Sequence, residues 1–92
     1  MIEIGKLVAT KAVAETMEEN MDFKSKVFEI LNTEYTKGIW GDLSENDALM
    51  NDTAVKTGEG MILGKYRVLD ESIYIITESD HSVTTILFPE EY

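Results

Sequence analysis

The spacing of apolar positions changes once along the chain. Before about residue 56 it is mostly helical, and from Met61 it alternates. Val13, Met17 and Met21 recur every fourth residue, with Glu15, Glu18 and Glu19 elsewhere on the same stretch. This predicts a short amphipathic helix opened by Thr10 as N-cap and stopped at Asn20. Asp22 reads as the cap of a second helix, whose stripe of Phe23, Val27, Ile30, Leu31 and Tyr35 runs to Lys37-Gly38. A cation in the last turn followed by glycine is a sound helix end. Ser44 and Asp47 have capping-box spacing and open a third helix to about Lys56, closed by Gly58-Glu59-Gly60. Its apolar set (Leu43, Met50, Ala54) is thin, so this helix is expected to be mostly exposed.

Met61–Leu69, Ser72–Glu78 and Val83–Phe88 are rich in Ile, Val, Thr, Tyr and Phe and read as strands. Asp70-Glu71 and Asp80-His81 supply turns, and Pro89 ends the last strand. Ile2–Ala9 is a further, N-terminal strand candidate. The fold class is therefore α+β: two to three short helices packed on one face of a three-stranded antiparallel β-meander, with that fourth strand as an addition.

Two-residue turns set the expected registers. Ile75 should face Ile86 and Tyr74 face Leu87, while Val68 faces Ile73 and Tyr66 faces Ile75. One sheet face then gathers Ile62, Tyr66, Val68, Ile73, Ile75, Ile86 and Phe88, as a core under the first two helices. The other gathers Leu63, Lys65, Arg67, Tyr74, Ile76, Glu78, Thr85 and Leu87, with Arg67 across from Tyr74 and Lys65 near Glu78. That face is half apolar, more than a purely solvated face requires. Either the third helix or the N-terminal segment covers it, or it is a homodimer or partner surface.

Length and composition narrow the class. The chain has 92 residues, the size of one domain, and is 43% hydrophobic, which argues for a folded core. It has no cysteine, an acid near its start and no long apolar run. These features predict a cytoplasmic protein outside the membrane. The formal charge is −10, and eleven acids against three bases lie after Lys37. Phosphate contacts need Lys and Arg, so direct nucleic-acid binding is not expected, whereas another protein is a suitable partner. Acidity also keeps a small domain soluble without further purpose.

Candidate chemistry is sparse. His81 is the only histidine and is expected as an exposed turn residue; with Asp80 or Glu78 beside it, it lacks the second His or Cys of a transition-metal site. Asp42-Leu43-Ser44-Glu45-Asn46-Asp47 resembles the start of a calcium loop, but Asp47 and Thr53 stand where that loop needs Gly and Glu. Gly58-Glu59-Gly60 precedes a strand, whereas a dinucleotide fingerprint must open a helix. Thr84 and Thr85 point to opposite faces with no base near them in sequence. The residues call for no metal, no cofactor and no catalytic group, and a non-enzyme is expected. Trp40, the only Trp, either caps the core or anchors an interface.

Gly38-Ile39-Trp40-Gly41-Asp42, Asn51-Asp52 and the run from Ile73 to Tyr92 (IYIITESDHSVTTILFPEEY) resemble a family of small uncharacterised bacterial proteins found on plasmids and integrative elements. This chain departs from the family pattern at Ile39, where Asp is usual, at Tyr74, where Trp is usual, and at His81, where Arg is usual. The resemblance brings no activity or catalytic residues. It implies a mobile-element setting, in which a small acidic protein can block a host defence nuclease by imitating DNA charge. The expectation is a non-enzymatic acidic protein-binding domain of that kind, with a structural homodimer as the alternative. The candidate partner-binding residues are Trp40, Asp42, Arg67, Tyr74, Ile76, Glu78, Asp80 and Leu87.

Overall fold

The computed structural model describes residues 2–92. The α+β class holds, with β1 (Lys6–Ala9), α1 (Lys11–Glu19), α2 (Met21–Thr33), α3 (Glu45–Thr57), β2 (Ile62–Val68), β3 (Glu71–Thr77) and β4 (Val83–Leu87) in chain order. Single 3₁₀ turns follow α2 at Tyr35–Lys37 and β4 at Pro89–Glu91.

The sheet has four strands in the order β1-β4-β3-β2 and is mixed. The meander is antiparallel, as expected, but β1 pairs parallel with β4. A parallel partner needs a long crossover, which the three helices provide. β1 is shorter than the expected strand. Ile2 and Ile4 precede it and pack against the core.

Local chemistry explains the helix ends. Thr10 caps α1 and Ser44 caps α3, each accepting from a backbone N–H three residues on. Asn20, not Asp22, caps α2: its Oδ1 accepts from the N–H groups of Asp22 and Phe23. Asp22 instead sits in the first turn, where its charge suits the helix dipole. Met21 therefore opens α2 and does not continue the α1 stripe. α2 also stops earlier than its stripe implies, and Tyr35 reaches the core from the 3₁₀ turn before Gly38.

The β3–β4 register is the expected one, with Ile75 facing Ile86 and Tyr74 facing Leu87. The β2–β3 register is displaced by two residues: Val68 faces Glu71, Tyr66 faces Ile73, Lys65 faces Tyr74 and Arg67 faces Ser72. The turn lies at Leu69-Asp70, with Leu69 in the left-handed region (φ 56°). A shift by two preserves side-chain parity, so the predicted core face survives. Ile62, Tyr66, Val68, Ile73, Ile75, Ile86 and Phe88 are all buried, under Val13 of α1, Phe23, Val27, Ile30 and Leu31 of α2, and Ala54 of α3.

Candidate protein-binding surface

Strand alternation builds the second face of the sheet from the residues between the core positions. Across the strands it forms registered rows. One row is Val8, Thr85, Ile76 and Leu63; the next holds Leu87, Tyr74 and Lys65; Ser72 and Arg67 follow. At the other end lie Lys6 and Val83, with the Glu78 N–H donating to the Val83 carbonyl. Ile76 and Leu87 are 5% and 7% exposed yet stand outside the main core cluster.

The third helix does not cover this face, and neither does the N-terminal segment. α3 packs at the β2 edge with Ala54 turned to the main core, and Ile2 and Ile4 join that core too. The reason is a pair of hydrogen bonds from one side chain. Asn51 accepts from the Leu63 N–H through Oδ1 (3.0 Å) and donates through Nδ2 to the Leu63 carbonyl. An amide side chain here does the work of a neighbouring strand. The next edge pair is also satisfied: the Lys65 N–H donates to the Trp40 carbonyl, and its carbonyl accepts from the Asp42 N–H. This contact requires Gly41, whose φ is +76° and whose added Cβ would run into the Lys65 carbonyl oxygen. Blunting the β2 edge in this way removes a template for strand pairing.

Among the described residues, the C-terminal turn reaches this face. Tyr92 meets Tyr74 edge-on at 5.6 Å between ring centroids, and the 3₁₀ turn before it touches β3. The charged positions of the face are mostly basic, with Lys6, Lys65 and Arg67 against Glu78. The acids lie on all three helices and at the turns. Among the described residues, ion pairs join Lys11 to Glu15 (3.9 Å) and Lys26 to Glu29 (3.3 Å).

The structure thus gathers Arg67, Tyr74, Ile76 and Leu87 on one surface, with Glu78 at its end. Trp40 lies apart: it is buried, packs edge-on to Tyr35 at 5.7 Å, and donates its Nε1–H to Asp52. Asp42 is exposed beside the β2 edge. Asp80 sits in the β3–β4 turn, where hydrogen bonds from the Ser82 hydroxyl (2.6 Å) and N–H (3.0 Å) hold its carboxyl below the usual range.

Sequence reasoning missed Lys6, Val8, Val83 and Tyr92 as parts of this surface. Alternation within Lys6–Ala9 could have placed the first two, had the parallel pairing been known. Asn51 was also missed, although it interrupts an apolar i, i+3, i+6 stripe with Ala48 and Ala54.

His81 differs from the expected exposed turn residue. It is half-buried with φ 58°, and its Nε2 is enclosed without a protein hydrogen-bond partner. It borders a cavity of about 280 Å³ together with Ile2, Glu3, Val55 and Gly58. Among the described residues, no helix is long and apolar enough to cross a membrane.

Fold and surface together define a small α+β domain with its main core on one sheet face and a second face outside that core. Comparisons with family models, with curated proteins and with solved structures find no match for this chain.

Proposed function

We propose that this chain is a protein-binding module that docks its partner on the second face of the sheet. The row Val8, Thr85, Ile76 and Leu63 carries this reading: it runs across all four strands and stands outside the main core cluster. Open apolar faces with a polar rim are characteristic of interaction sites. The basic rim of Lys6, Lys65 and Arg67 favours a partner with an apolar centre and acidic surroundings. Imitation of DNA by this chain calls for acids gathered at phosphate-like spacing on one face. Their spread over three helices and the turns instead favours a role in solubility.

The test uses Leu63→Glu and Tyr74→Glu, both at half-buried positions of the face. Tagged wild-type chain recovered from its native host should hold a partner that both variants lose. Circular dichroism and thermal unfolding should remain close to wild type. Sedimentation of the wild-type chain at several concentrations identifies the case in which the occupant is a second copy, which the same variants should dissociate. A partner or dimer that tolerates both substitutions would overturn the reading.

A further inference from the structure

The outward side of α3 carries large apolar side chains that the fold does not use. The helix meets the core through Ala48 and Ala54 and the strand edge through Asn51. Leu49 and Met50, on the other side, are 64% and 70% exposed. Met61, just before β2, is 43% exposed and converges on them. With Thr53, Ala54 and Gly60 they line a groove of about 450 Å³ between α3 and the segment leading into β2. The α3 cap and the Gly58 helix end hold this geometry independently of the second sheet face.

Acids border the groove. Glu59 lines it. On α3, Glu45 flanks Leu49 at i−4 and Asp47 flanks Met50 at i−3. Lys56, one turn beyond Asp52, is the only base of the helix. An unbranched thioether lined by aliphatic surface adapts to differing apolar anchors, and an acidic rim selects cations around them. A partner strand has no free edge beside the groove, because Asn51 and the Trp40–Asp42 segment already occupy the β2 backbone groups at Leu63 and Lys65.

We propose that this groove binds a basic amphipathic helix of a partner protein, apolar face inward and Lys/Arg face against the acidic rim. The probe is a fluorescent Leu/Lys peptide of about eighteen residues, or about five helical turns, with its leucines at helical spacing. Its affinity is read by anisotropy at low salt and at about 150 mM salt. A scrambled peptide of the same composition serves as control.

The patterned peptide should bind at least about tenfold more tightly than the scrambled one, and more weakly as salt rises. Leu49→Ser with Met50→Ser should weaken binding about tenfold or more, and Asp47→Lys with Glu59→Lys should weaken it and flatten the salt dependence. All four positions are exposed, so circular dichroism should match wild type. Tyr74→Glu on the sheet should leave the peptide affinity unchanged, which separates this site from the sheet surface. Equal binding of patterned and scrambled peptides would overturn the proposal. Undiminished affinity in the Leu49→Ser, Met50→Ser variant would do so as well.

Discussion

The hydroxyls of Tyr35 and Thr77 lie 2.6 Å apart inside the covered side of the sheet, tying the end of the helical layer to β3. Thr77 Oγ1 in turn lies 2.7 Å from Thr84 Oγ1, and Thr84 donates to the Ile4 carbonyl at 2.7 Å. A carbonyl only accepts, so the direction of the chain is set: Tyr35 donates to Thr77, Thr77 to Thr84, and Thr84 to Ile4. Three buried hydroxyls are satisfied and β3, β4 and the N-terminal segment are joined.

Thr77→Val keeps the side-chain shape and breaks this chain in the middle. Stability should fall by about 1–3 kcal/mol, the usual range for stranding a buried polar group. Tyr35→Phe should fall in the same range. The double variant should lose less than the two single losses combined, because both remove one network. Urea unfolding of the four proteins measures the cycle.

Asn51→Ala removes both hydrogen bonds to Leu63 and uncovers part of the β2 edge. We expect a loss of about 1–3 kcal/mol. The freed edge should also promote association on standing. Urea midpoints and light scattering at rising concentration read the two effects separately.

Leu69→Gly acts at a strained position. A branched residue in the left-handed region loses about 1–2 kcal/mol, of which glycine returns part through its greater unfolded-state freedom. The net gain should be about 0.5–1 kcal/mol, a rise of a few degrees in Tm by calorimetry. An unchanged or lower Tm would mean that Leu69 contributes packing despite its exposure.

Alkaline pH should unfold the protein through two tyrosines. Burial pushes the Tyr35 phenol up to about 12. Burial raises Tyr66 strongly too, with further contributions from the charges of Tyr35 and Glu34. Tyr66 is also held by donation to the Ile39 carbonyl at 2.6 Å. Each neutral phenol is favoured in the folded state, so this stability is present below pH ~10, where unfolded tyrosine ionises, and declines above it. For Tyr35 the decline should reach about 2 kcal/mol by pH ~12. Ionisation of these two rings, followed by ultraviolet absorbance, should coincide with loss of circular dichroism.

Periodicity made much of the architecture legible. The stripe from Phe23 to Leu31, the cap at Thr10, the alternation of β2 to β4 and the parity of the two sheet faces all follow from local spacing. Even the mistaken turn at Asp70-Glu71 did no harm to the core, because a slip of two residues returns each side chain to its own face. The candidate surface was legible in Arg67, Tyr74, Ile76 and Leu87 for the same reason. Trp40 was not, since a tryptophan between two glycines looks the same whether it faces a partner or, as here, turns to Tyr35 and Asp52.

Local spacing establishes which side of each helix or strand is apolar, because that depends on residues a few positions apart. What lies against an apolar side is a contact between distant parts of the chain. β1 found its place beside β4 through backbone groups that carry no side-chain signature. α3 came to rest at the β2 edge through one asparagine and the Leu63 backbone, twelve residues away. That long-range pairing keeps α3 at the β2 edge, and Ile76 and Leu87 stand outside the main core on the sheet surface to which we assign the function.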